Sequence, residues 1–273
     1  MKIVRKIIRR VFAALGYVPQ RSNSAPTPFR FENFENLTVA FELCRNDSGN
    51  RILPNKLRPM LLARLLGTPP SEAYFIIEAL YKSNNVPGDV CEFGVAQGET
   101  SALIANEILP YDEKHLHLFD SFEGLPRPSA KDQLKDDIFS LGDIEAYAGT
   151  MACPEEMVLS RLKAITFPSS RYSIHKGFIE KLITEDQNMP KEVSFAYVDF
   201  DFYEPIKIAL EFLHDVTRKG SIIIVDDYDF FSTGVKTAVD EFVRDKRAIS
   251  GIDYECLVPD ARCGNFAVLS RNS

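Results

Sequence analysis

From Gly88 onward the chain alternates short apolar runs with amphipathic stretches, and this alternation most restricts what it can fold into. GDVCEFGV reads as a first strand and ETSALIANEIL as its helix, and HLHLFD as a second strand. Glu155 to Lys163 reads as helical, RYSIHKG as a third strand and FIEKLITE as a third helix. VSFAYVDFDF with YEPIKIALEFLHDV gives a fourth strand and its helix. SIIIVDDY gives a fifth strand, followed by a helix from about Thr233 to Lys246. Strands joined through helices run parallel, because the crossover returns the chain to the same end of the sheet. DYECLVP and NFAVLS lie close together, with Asp260, Arg262 and Gly264 between them, which suits a terminal antiparallel hairpin. No internal repeat is visible.

Two of the strands end in pairs of acids, Asp199 with Asp201 and Asp226 with Asp227. Carboxylates placed after a buried run emerge at the carboxyl edge of the sheet, where open α/β folds bind ligands. Any one of them could simply cap the following helix. Four together repel one another unless a cation or a shared proton neutralises them. The set therefore reads as a divalent-metal site. On an ideal strand Asp199 and Asp201 have the same parity, so they are two ligands, or one ligand and one base.

The first strand runs into E-F-G-V-A-Q-G-E-T-S. Gly94 and Gly98 let the chain turn sharply and bring backbone N–H groups near a bound ligand. The spacing G-x-x-x-G is neither the dinucleotide fingerprint nor a P-loop, which disfavours a pyrophosphate cradle. Asp120, ending the second strand, lies about twenty residues beyond the turn, where a carboxylate can bind ribose hydroxyls. A nucleoside cofactor without a diphosphate fits both features, and S-adenosylmethionine is such a cofactor. Glu92, Gly94, Gly98 and Asp120 are assigned to gripping it, with Ser121 adding a hydroxyl contact.

A net charge of −7 argues against a duplex-binding surface, and no nucleic-acid module is recognisable. The five cysteines are scattered without C-x-x-C spacing and look like reduced thiols of a cytoplasmic protein; Cys91 reads as a small core filler. MKIVRKIIRRVFAALGYV places Lys2, Arg5, Lys6 and Arg9 on one helical face, and is too short to span a bilayer. It does not read as a signal peptide, because its charges reach Arg10. Residues 1–18 are thus expected to pack on the body or on a second subunit, or to lie on an anionic membrane as a peripheral contact. The sequence favours packing.

VCEFGVAQGETS, LFDSFEGLP, VDFDFYEP and IIVDDY with the later AVDEF resemble the macrocin O-methyltransferase family, over roughly Val86 to Phe242. The resemblance implies a class I methyltransferase, Rossmann-like α/β fold with a mostly parallel seven-stranded sheet and a C-terminal antiparallel hairpin. It also implies methyl transfer from S-adenosylmethionine to a sugar hydroxyl of a glycosylated natural product or other saccharide, assisted by Mg²⁺. By the same resemblance Asp199, Asp226 and Asp227 would hold the metal and Asp201 would be the general base. The chain departs from the family at Phe200, where a glycine is usual, and at Ala96-Gln97-Gly98-Glu99, where the family has Trp-Arg-Gly-Gly.

The organisation expected is a helical N-terminal extension or lid over residues 1–70 and a methyltransferase domain over 71–273. The long segment from Glu123 to Cys153 is a second candidate for a lid that excludes water. Phe202 and Tyr203 read as structural. Tyr228, Phe230 and Phe231 could stack on a sugar ring or merely pack a loop, and Asp240 and Glu241 are expected to face solvent or an internal arginine. His175 could line the site, although a structural role suits it better. Two rival functions use fewer of these features: a metal-dependent glycosyltransferase built on D-x-D, and a non-catalytic membrane-docking protein on the same fold.

Overall fold

The computed structural model describes residues 52–273, together with 38, 39, 41–43, 45 and 46. The basic segment 1–18 lies outside the described residues. Seven strands form one sheet: β1 (Asp89–Phe93), β2 (Leu116–Asp120), β3 (Tyr172–Lys176), β4 (Val193–Val198), β5 (Thr217–Val225), β6 (Tyr254–Leu257) and β7 (Ala267–Arg271). Their spatial order is β3-β2-β1-β4-β5-β7-β6. The first five pair in parallel, whereas β7 runs antiparallel to both β5 and β6. The parallel sheet and the closing hairpin are thus as the sequence pattern required.

Seven helices are described with full bounds: α1 (Arg58–Leu62), α2 (Pro70–Ser83), α3 (Glu99–Ile108), α4 (Glu155–Ala164), α5 (Ile179–Glu185), α6 (Tyr203–Val216) and α7 (Thr233–Ile249). The central strands are buried on both faces, and alternate residues serve alternate layers. Val90, Leu116, Leu118, Phe195, Tyr197, Ile222 and Ile224 face a core shared with α1 to α4. Cys91, Phe93, Phe119, Ala196, Val198, Ile223 and Val225 face α5, α6 and α7. A smaller cluster of Tyr147, Phe202 and Phe231 packs the segment between β2 and α4 against the carboxyl edge, where Leu134 bridges to Ser232.

A fully buried ion pair helps tie the N-terminal side to the body. Arg58, on α1, is fully buried and donates from Nε at 2.9 Å and from Nη2 at 2.5 Å to the two oxygens of Glu107 on α3. It also donates to Glu42 at 2.6 Å and to the Leu53 carbonyl at 2.8 Å. Among the described residues no helix is long and apolar enough to cross a membrane.

Candidate active site

Both acid pairs lie just past the ends of their strands, because β4 stops at Val198 and β5 at Val225. Asp199 N–H still donates to Phe93 O at 2.7 Å, and Asp226 N–H to Val198 O at 2.9 Å. The chain then leaves the sheet through left-handed residues, with φ of +60° at Asp201 and +55° at Asp227. Aspartate tolerates this region better than most residues. Strand parity therefore no longer governs Asp201; a turn does.

Those turns bring oxygens of Asp199, Asp201 and Asp227 within 4.8 Å of one another. Asp226 points elsewhere. Its Oδ2 accepts from the Tyr197 hydroxyl at 2.5 Å and its Oδ1 from the Asp227 N–H at 2.8 Å. Tyr197 OH also lies 3.2 Å from Glu72 Oε1 on α2, while Glu72 Oε2 is buried without a partner. Glu72 is a fifth acid at the site, and nothing in the sequence marked it. An acid in the first turn of a helix is common for reasons of the helix dipole alone.

Burial raises the pKa of all five acids. At Asp199, Asp201, Asp227 and Glu72 the charges of neighbouring carboxylates add to it. At Asp226 the Tyr197 hydrogen bond opposes it. Asp199 and Asp227 keep some exposed surface, yet protein surrounds them on most sides. Among the described residues no lysine or arginine pairs with any of the five. Uncompensated carboxylates with free oxygens are a fitting donor set for a hard divalent cation.

Beside the acids lies the glycine turn. A Cβ on Gly94 would fall 1.8 Å from the Asp199 carbonyl, so only glycine lets β1 and β4 converge here. Gly98, with φ of +80°, caps the start of α3. Asp120 folds over the turn: its Oδ2 accepts from the N–H groups of Val95 and Ala96 at 2.8 Å, and its Oδ1 from Phe122 N–H at 2.7 Å. Ser121 Oγ accepts from Glu123 N–H at 3.1 Å and donates to Gly124 O at 3.2 Å, shaping the loop that follows. Glu92 is fully buried beneath the turn. Its carboxyl group lies near the Ser101 hydroxyl, and burial pushes its pKa up to about 8.

The remaining expectations divide. Phe202 and Phe231 are fully buried in the loop cluster, and Tyr203 is buried in the core layer of α5 to α7. Phe200 packs edge-on against the Phe93 ring, 5.9 Å between centroids. His175 bonds His117 at 2.9 Å and Asp186 at 2.5 Å, a chain separate from the acid group. Asp240 is exposed to solvent as expected and accepts from Tyr228 OH at 2.8 Å; Glu241 is partly exposed and accepts from Lys131 Nζ at 2.8 Å and from Tyr203 OH at 2.6 Å rather than from an arginine.

A sheet of this order, with a reversed seventh strand and a glycine turn after β1, is that of the class I methyltransferase fold. Residues 76–258, more than half of the chain, match the family model described as macrocin-O-methyltransferase (TylF). The chain belongs to that family. No curated protein matches it by sequence. Solved structures share the fold. The O-methyltransferase NovP is 22% identical over 75% of this chain and 81% of that one, with a TM-score of 0.62. The calicheamicin methyltransferase CalS11 is 21% identical over 93% and 98%, with a TM-score of 0.57. TomG of Streptomyces achromogenes, involved in tomaymycin synthesis and solved with SAM, is 15% identical over 89% and 98%, with a TM-score of 0.52.

Proposed function

We propose that this enzyme methylates a sugar hydroxyl, using S-adenosylmethionine as donor and a divalent cation, Mg²⁺, at the acid group. The observation that carries the reading is the clustering of Asp199, Asp201 and Asp227 beside the Gly94 turn and Asp120. Family membership supports the sugar, because the family contains enzymes acting on sugar hydroxyls of glycosylated natural products.

Methyl transfer from a sulfonium is an in-line displacement, so alignment dominates; well-held reactants can reach effective molarities of about 10⁵ M or more. The turn from Gly94 to Gly98, with Glu92 below and Asp120 and Ser121 above, would hold the cofactor. Asp120 already fixes that turn by accepting from two of its N–H groups. Asp199 and Asp227 would hold the cation, and Asp226 would complete the set by turning from Tyr197. When bound, a divalent cation acts as a Lewis acid that eases deprotonation of an alcohol. Asp201, held by its left-handed turn beside both, takes the acceptor's proton.

The test is methyl transfer from labelled S-adenosylmethionine to a panel of glycosides and nucleotide-sugars, with Mg²⁺ or a chelator. Transfer to a sugar hydroxyl that the chelator abolishes is expected. Stabilisation by nucleotide-sugars alone, with no response to S-adenosylhomocysteine, would instead favour glycosyl transfer.

A further inference from the structure

Asp132 stands outside the acid group, in the segment between β2 and α4, yet only 4% of it is exposed. Its Oδ1 accepts from Tyr203 N–H at 2.8 Å and from Ser232 Oγ at 3.3 Å. Its Oδ2 accepts from both the N–H and the hydroxyl of Ser129 at 2.7 Å. Tyr203 opens α6, whose N-cap residue, Phe202, offers no side-chain acceptor. Ser232 caps α7 by accepting from Gly234 N–H at 3.1 Å. One carboxyl group thus serves the starts of two helices, where orphan N–H groups and aligned peptide dipoles favour negative charge.

The seat is built for it. A Cβ on Gly234 would come 1.7 Å from Asp132 Oδ1 and 2.8 Å from Tyr203 N. Glycine is a poor helix former, and here its missing side chain is the space that Asp132 fills. The same Ser232 hydroxyl lies 3.0 Å from the carbonyl oxygen of Asp201. Flanking contacts fasten the segment: Lys135 Nζ to Asp229 O at 2.8 Å, and Lys131 Nζ to Glu241 at 2.8 Å.

We infer that Asp132 is a positioning residue for the acid group. Through Ser232 and the Tyr203 N–H it fixes the 199–203 turn, so that Asp201 is held facing Asp199 and Asp227. The inference rests on the reading of that group as the cation-binding catalytic site, and its test separates the two.

Asp132→Ala removes the carboxyl group, and Gly234→Ala evicts it without altering it. Asp132→Asn keeps an acceptor and is the conservative control. Two quantities are measured in the full chain: residue-level amide hydrogen exchange and Mn²⁺ affinity. In the alanine variants the Asp199 and Phe202 amides should lose protection while the amides of the 94–98 turn keep theirs. Mn²⁺ affinity should fall by about 10- to 100-fold, as for other groups that orient metal ligands. S-adenosylhomocysteine affinity should stay unchanged, and Asp132→Asn should fall between. Unchanged protection at Asp199 and Phe202 overturns the positioning role whatever the metal result. Loss of protection throughout, the 94–98 turn included, also overturns it, because it marks a purely structural residue. If the wild type binds no Mn²⁺ but the two amides still lose protection, the positioning role stands and the cation reading fails.

Discussion

Asp201 and Asp227 meet carboxyl to carboxyl across the gap between two strand ends, each held there by a left-handed backbone. Neither position would be comfortable for a β-branched residue, and neither charge would be comfortable without a neutralising partner. Backbone and electrostatics both set the pair apart from ordinary helix-capping aspartates.

Asp227→Asn tests the pair most directly. The amide preserves shape and the left-handed turn but removes one charge. Metal-dependent turnover should fall by about 10²-fold or more, given the weight of charge stabilisation in such sites. The affinity for S-adenosylhomocysteine, measured by calorimetry, should hardly change. Without metal the variant should melt above the wild type, since one repulsive charge is gone. A lower melting temperature together with intact turnover would remove Asp227 from the site.

Asp120→Ala should act on the cofactor side instead. It leaves the N–H groups of Val95, Ala96 and Phe122 without their acceptor. Cofactor affinity should weaken by about tenfold or more, since one charge-assisted hydrogen bond contributes about 1.5–3 kcal/mol. Mn²⁺ binding should survive. Equal losses of both would show that the two halves of the site are not separable.

Glu92→Gln tests a pH dependence whose sign follows from linkage. Burial lifts the Glu92 carboxyl from 4.5 to about 8 in the folded chain, so the native state binds its proton more tightly than the unfolded state does. Its contribution to stability is complete below pH 4.5 and is lost as the pH rises towards 8. The glutamine variant lacks this loss. Relative to the wild type it should gain stability across that window, on the order of a few kcal/mol by pH 8. Parallel melting-temperature curves from pH 4.5 to 8 would refute it.

Arg58→Met addresses the tie between α1 and α3. It leaves Glu107 buried and unpaired, which typically costs about 3–5 kcal/mol. Chemical denaturation should show that loss. The double variant with Glu107→Leu should recover most of it, because breaking such a pair costs more than replacing it with apolar groups.

The sheet was legible because strand and helix periods differ, and each run near Gly88, His115, Arg171, Val193 and Ser221 carries its own signal. The acids were legible for the same reason: they follow those runs. Their grouping was not, since it depends on turns at Asp201 and Asp227 that replace strand parity. Glu72 and Asp132 were invisible for another reason. Their partners Tyr197 and Tyr203 lie 125 and 71 residues away, and no local pattern announces a contact of that span. Gly234 held a clue, being a glycine in the first turn of a long helix, but the space it leaves has meaning only once its occupant is known.

The reversed β7 has a consequence for how the chain comes to be made. It is inserted between β5 and β6, and its Ala267 and Leu269 are fully buried in the core. A nascent chain that has emerged only through β6 therefore carries β5 with an open edge, a row of unpaired N–H and C=O groups beside apolar residues. During translation this sheet must wait for residues 267–271, and β5 is where premature association with another nascent chain would begin.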